Sequence, residues 1–104
     1  MSDAIVAEDF VDALGSEGWR VDGATASAVF RTGSFLAGVE LIEAIAELAE
    51  AANHHPDVDL RFATVTVRLT SHDIGGLSQR DLALARRVTA AARELDLVIE
   101  RAGE

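Results

Sequence analysis

Apolar and polar positions along this chain change their spacing several times, and each change marks an element. Ile5, Val6, Phe10, Ala13 and Leu14 share one face at helical spacing. They predict a helix over 3–14, with Ser2 or Asp3 as cap and Gly15 as stop. Gly18-Trp19-Arg20-Val21 and the alternating run from Ala24 to Phe30 flank Asp22-Gly23, a favoured hairpin-turn dipeptide, and predict strands over 18–22 and 24–31. From Ser34 to about Asn53 the helical period returns. Phe35, Val39, Ile42, Ala46 and Ala49 form its stripe, widened by Leu41, Ile45 and Leu48. Glu40, Glu43, Glu47 and Glu50 recur on the other side as one acidic face, and Pro56 suits a terminator.

Alternation resumes at Val58, Leu60 and Phe62, and then at Val65, Val67 and Leu69 between Thr64, Thr66, Arg68 and Thr70, predicting strands over 58–62 and 64–71. Gly75-Gly76 interrupts the chain. Ser78 caps a third helix over 78–95 that carries Leu82, Ala85, Val88, Ala92 and Leu95, while Leu97 to Ile99 fits either a turn or a short extended tail. The order is helix, two strands, helix, two strands, helix. No crossover helix separates the paired strands, so the expected class is α+β: two layers, a four-stranded antiparallel sheet with helices packed on one face.

Composition narrows what such a domain can do. A chain of 104 residues, 49% of them hydrophobic, suffices for one domain over 1–104 with a core of its own. A domain of this size gains from self-association, and an unpaired edge strand with wide apolar helix faces offers surface for it, as a homodimer or homotetramer. Eighteen acidic residues against nine basic ones give a net charge of −9, which argues against nucleic acid and against an anionic membrane surface as partners. Cysteine is absent, so disulfides, thiolate metal sites and a cysteine nucleophile are excluded. Met1-Ser2-Asp3-Ala4 carries acid where a signal peptide carries positive charge, and no apolar run approaches a membrane span, so a soluble, cytoplasmic protein is expected.

The candidate chemistry lies between positions 54 and 72. All three histidines, His54, His55 and His72, fall there, two after the long helix and one after the strongest strand. With no Cys and no Tyr, histidine is the only side chain here that ordinarily titrates near neutrality, so these three lead any proton-transfer reading. Metal ligation is the rival, since imidazole is a common zinc ligand. Adjacent side chains at His54 and His55 diverge in most backbone conformations, which argues against a three-histidine ion site.

The surrounding residues go further. Glu50-Ala51-Ala52-Asn53-His54-His55-Pro56-Asp57 resembles the signature of the pterin-4a-carbinolamine dehydratase family: an acid, three positions, then His-His-Pro. The family's later aromatic is matched by Phe62, its third histidine by His72 within Thr70-Ser71-His72-Asp73, and its Gly-Gly-Leu-Thr/Ser-x-x-Asp run by Gly75-Gly76-Leu77-Ser78-Gln79-Arg80-Asp81. Gly18-Trp19 and the region from Phe30 to Phe35 also look like the family's N-terminal half, so the resemblance spans roughly residues 10 to 95. Two positions depart from it. Phe62 stands where many members carry Tyr, and Ala63 where a polar side chain is often seen.

The resemblance implies an antiparallel sheet backed by helices, and an enzyme without cofactor or metal. Its substrate would be a tetrahydropterin hydroxylated at ring carbon 4a, left behind by aromatic amino acid hydroxylases. Dehydration gives a proton to the departing hydroxyl and takes one from a ring nitrogen, yielding the quinonoid dihydropterin. An imidazolium and a neutral imidazole on opposite sides of the ring suffice. His54 and His72 are the expected acid–base pair, with His55 orienting the pterin or sharing the transfer. Glu50, Ser71 and Asp73 are expected at the pterin's amide and amino edge, and Pro56, Asp81 and Trp19 complete the candidate contacts. Glu50 equally continues the solvated acidic face, Asp81 equally closes a capping box with Ser78, and a single Trp beside a Gly is more often packing. Members of the family also serve as dimerisation partners of a homeodomain transcription factor, and distant relatives assist enzyme assembly. A non-catalytic binding module is therefore the alternative.

Overall fold

Alternation along the strands decides which side of the sheet holds the core. In a computed structural model describing residues 3–101, the strands are β1 (Arg20–Asp22), β2 (Thr25–Arg31), β3 (Asp57–Arg61), β4 (Thr64–Leu69) and β5 (Val98–Ile99). The helices are α1 (Ala7–Leu14), α2 (Phe35–Ala52) and α3 (Gln79–Glu94). Every strand pairing is antiparallel, in the order β1-β2-β4-β3, with β5 on the far end of β2. Ala26, Ala28 and Phe30 of β2 and Val65, Val67 and Leu69 of β4 are buried on one face. Leu41 and Ile45 of α2 and Leu84, Ala85, Val88 and Ala92 of α3 belong to the same core cluster. The expected α+β class holds, with β5 as a fifth strand: Ile99 pairs with Phe30 and Val98 with Arg31, so the undecided tail is extended.

The helix starts show which local signals were sufficient. Ser34 caps α2 by accepting from Ala37 N at 3.1 Å, and Ser78 caps α3 in a capping box with Asp81. The first helix differs. It begins at Ala7 after Val6, with no side-chain cap. Asp3 is drawn away because its carbonyl accepts from Gln79 N at 2.9 Å and its carboxylate bonds Arg80 Nε at 2.9 Å, while Ile5 N donates to Leu77 O. Residues 3–5 therefore run extended beside the start of α3; Ser2 lies outside the described residues.

Other boundaries shift for similar reasons. Gly15 ends α1 but keeps a right-handed conformation and leads into a 3-10 turn; the reversal falls at Gly18, φ 111°, where a Cβ would collide with Ile99. The first strand therefore starts at Arg20. Asp22 pairs with Thr25, which makes Gly23-Ala24 the two-residue turn, one position later than expected, with φ 60° at Gly23. Arg61 pairs with Thr64, so Phe62 lies outside β3 at the hairpin tip, 75% exposed. In α2 the buried line is Gly38, Leu41, Ile45 and Ala49; Phe35 and Ala46 fall on its exposed side.

Trp19 is core. Its ring lies edge-on between Phe10 and Phe30, with centroids 6.1 and 6.3 Å away, and its indole N–H donates to Thr89 Oγ1 at 2.8 Å. At 2% exposure it packs inside the fold, the alternative to a substrate contact that the sequence offered.

Candidate functional site

The last turn of α2 fixes where His54 starts. Asn53 adopts a left-handed conformation, φ 50°, its N–H donates to Glu50 O, and His54 N–H reaches back to Ala49 O at 3.1 Å. This pair of bonds is a Schellman ending, which sets the backbone direction leaving the helix. The side chain is then pinned from α3: His54 Nε2 lies 2.6 Å from Asp81 Oδ1. Asp81 is fully buried, and its other oxygen accepts from Ser71 Oγ at 2.8 Å and Ser78 N at 2.9 Å. A carboxylate only accepts, so Nε2 carries the proton that faces Asp81, and a neutral imidazole held this way has Nδ1 unprotonated. Among the described residues Nδ1 has no partner. A buried aspartate orients the histidine of a hydrolase triad in the same way.

His54 lines an open hollow of about 280 Å³ with Ala51, Ala52, Arg80, Ala83 and Arg87. Arg80 is held between two acids, Asp3 at 2.9 Å and Asp73 at 3.0 Å. The Arg80 guanidinium holds the Asp73 carboxyl below the usual aspartate range, with a smaller contribution from His54.

His55 points elsewhere. Its Nε2 bonds Glu50 Oε2, and it lines a separate apolar hollow with Ile42, Ala49, Pro56 and Val58. Adjacent positions thus diverge. Both members of the His55–Glu50 pair are exposed. His72 opens the 3-10 turn after β4; its carbonyl accepts from Gly75 N–H, while its imidazole is exposed and lines neither hollow. Ser71 and His72 follow β4 and Pro56 precedes β3, so all three sit at one end of that hairpin. Phe62 is at the other end, roughly 17 Å away at a rise of about 3.3 Å per residue.

Two expected substrate contacts turn out to be internal. Ser71 is 1% exposed with its hydroxyl engaged by Asp81 and Ser78, and Asp81 is fully buried. Asp81 bonds His54 directly, and Ser71 bonds Asp81. Arg80 went unnoticed in the sequence, because its partners Asp3 and Asp73 are not local helix neighbours. Among the described residues no group of three or more His, Asp or Glu side chains is placed to hold a metal ion.

The family model for pterin 4 alpha carbinolamine dehydratase matches residues 3–91. The chain belongs to this family. A dehydratase-family protein of Mycobacterium sp. (strain KMS), provisionally named pterin-4-alpha-carbinolamine dehydratase, is 42% identical over 101 residues, covering 94% of this chain and 99% of the relative. One of Mycobacterium tuberculosis (strain ATCC 25618 / H37Rv), with the same provisional name, is 36% identical over 89 residues, covering 84% and 95%. Among solved dehydratase-family structures, a transcriptional coactivator/pterin dehydratase from Brucella melitensis matches with a TM-score of 0.77 at 27% identity, covering 85% of this chain and 97% of that one. A pterin dehydratase-like protein described as a RuBisCO assembly factor in the alpha-carboxysome matches with a TM-score of 0.61 at 26% identity, covering 72% and 89%.

Proposed function

We propose that this protein dehydrates 4a-hydroxytetrahydropterin to quinonoid dihydropterin and water by histidine acid–base catalysis, in support of tetrahydropterin recycling. The observation that carries the reading is the buried Asp81 carboxylate 2.6 Å from His54 Nε2, which orients an imidazole that borders an open hollow. His54 is one proton-transfer group and His72, one residue beyond Ser71, the other. One donates to the departing 4a-hydroxyl while the other accepts the ring-nitrogen proton, so the reaction closes with water released and no net proton change. His55, bonded to Glu50 at the same helix end, is assigned the orienting role, and Asp73 the polar edge of the ring.

Steady-state kinetics on a synthetic carbinolamine, corrected for uncatalysed dehydration, tests this. His54→Ala and His72→Ala are each expected to slow turnover by roughly 10²-fold, the usual contribution of a positioned acid or base. His55→Ala is expected to raise KM at least as much as it lowers kcat. Wild-type activity is expected to survive a chelator. Full activity in both the His54 and His72 variants refutes the assignment.

A second reading, an assembly or dimerisation partner, is favoured by one feature. Phe35, Leu36 and Phe62 are 52%, 67% and 75% exposed. They share one end of the molecule, because Thr32 N–H and Gly33 N–H, just before α2, donate to Ala63 O at the hairpin tip. The assembly-factor relative uses the same fold. An intact protein lacking dehydratase activity would support this reading.

A further inference from the structure

The two oxygens of Asp81 serve different neighbours. Oδ1 faces His54, while Oδ2 accepts from Ser71 Oγ and Ser78 N. A carboxylate only accepts, so Ser71 commits its single hydroxyl proton to Oδ2. The Ser78 hydroxyl lies 2.7 Å from Ser71 Oγ and 3.4 Å from Oδ2, so the shorter contact makes it the donor to Ser71. Ser78 Oγ in turn accepts from Arg80 N at 3.2 Å. The bonds form one directional chain: Arg80 N–H to Ser78, Ser78 to Ser71, Ser71 to Asp81, with His54 donating to the other carboxylate oxygen. No buried polar side-chain atom among the described residues lacks a partner.

Three elements meet in this chain. His54 follows α2, Asp81 lies in the first turn of α3, and Ser71 follows β4. The Ser78 N–H that also holds Oδ2 belongs to the same helix end as Asp81 and moves with it. Ser71 is therefore the only hydrogen-bond donor to Oδ2, among the described residues, that ties the carboxylate to the sheet. The terminal torsion of an aspartate is broad, so loss of that tie lets the carboxylate plane swing and carries Oδ1 away from Nε2.

We infer that Ser71 is a positioning residue that acts on His54 through Asp81, holding the imidazole as the Nε2-protonated tautomer with Nδ1 directed to the ligand. Its catalytic consequence rests on the dehydratase reading; its effect on the imidazole does not. At 1% exposure Ser71 does not reach a ligand itself.

The test compares Ser71→Ala with wild type by long-range ¹H–¹⁵N correlation of the imidazoles and by dehydration kinetics. Wild-type His54 is expected to give the Nε2-protonated pattern. In Ser71→Ala its two ring nitrogens are expected to shift toward a tautomer mixture, and kcat to fall roughly tenfold with KM nearly unchanged, the effect of losing one such bond. Ser71→Thr, which keeps the hydroxyl, is expected to restore the wild-type pattern. An unchanged His54 pattern in Ser71→Ala, or a raised KM with intact kcat, overturns the inference. Should wild type not dehydrate the carbinolamine, the dehydratase reading fails and the imidazole spectra alone decide. If Ser71→Ala does not fold, Ser71→Cys, similar in size but a weak donor, is judged by the same criteria.

Discussion

Asp81 Oδ1 lies 2.6 Å from His54 Nε2, although the two residues are 27 positions apart, one just past the end of α2 and the other in the first turn of α3. The contact joins a helix end to a helix start. His54 is aimed by the Schellman ending of α2, and Asp81 is aimed by the capping box of α3, so two local signals produce one tertiary pair.

Replacing Asp81 by Asn preserves shape and reverses half of its hydrogen bonding. The amide NH₂ must face either His54 Nε2–H, which cannot accept, or Ser78 N–H and the Ser71 hydroxyl, which must then turn from donor to acceptor. Asp81→Asn is expected to lose about 1–3 kcal/mol of stability and at least about tenfold in turnover through disordered His54. Denaturant unfolding followed by Trp19 fluorescence, together with kinetics, checks both. Unchanged turnover with lowered stability would reduce Asp81 to a helix cap.

Trp19 offers a contrast between packing and binding. Trp19→Ala removes a buried indole between two phenyl rings and is expected to cost about 3–5 kcal/mol. Trp19→Phe loses chiefly the bond to Thr89, which still donates to Ala85 O at 2.8 Å, and is expected to cost about 1–2 kcal/mol. In the Phe variant KM for the pterin is expected to stay within about twofold of wild type, since the ring meets no ligand. Thermal melts and steady-state kinetics separate the two effects.

Acid should loosen the clamp around Arg80. The Asp73 carboxyl is held below its ordinary value of 3.8, first by its hydrogen bond from Arg80. A carboxyl depressed in the folded state adds stability that is present above the unfolded value and lost as pH falls through the folded one. Asp73→Asn is thus expected to be less stable than wild type near neutrality, with the difference closing below pH 3.8. Carboxyl ¹³C titration of Asp73 should give a midpoint under that value; a midpoint above it contradicts the clamp.

The exposed end formed by Phe35, Leu36 and Phe62 should govern association. Sedimentation at micromolar concentration is expected to show a species larger than the 11.0 kDa chain, and Phe62→Ser with Leu36→Ser to shift it toward the monomer. Since none of these side chains is in the core, the double variant should keep its unfolding midpoint as a monomer. A wild-type monomer at that concentration refutes the expectation.

Much was legible in the sequence because local physics decides it. Ser34 and Ser78 are helix caps wherever an apolar helical stripe follows them, and alternation from Thr64 to Leu69 admits only one buried face. The family motif brought His54, His55, His72 and Asp81 to notice through their spacing. What those residues do depended on contacts that no spacing encodes. Only the fold shows that Ser71 and Asp81 are buried and bonded to each other, and that the Trp19 indole donates to Thr89. Residues 3–5 left the first helix because Gln79 and Arg80, more than seventy positions away, offered better partners. Local pattern determined the elements and their buried sides, because periodicity and capping act within a few residues. The roles of the polar side chains were decided only by tertiary structure, because a buried hydrogen-bonding group must find its partner wherever the fold brings one.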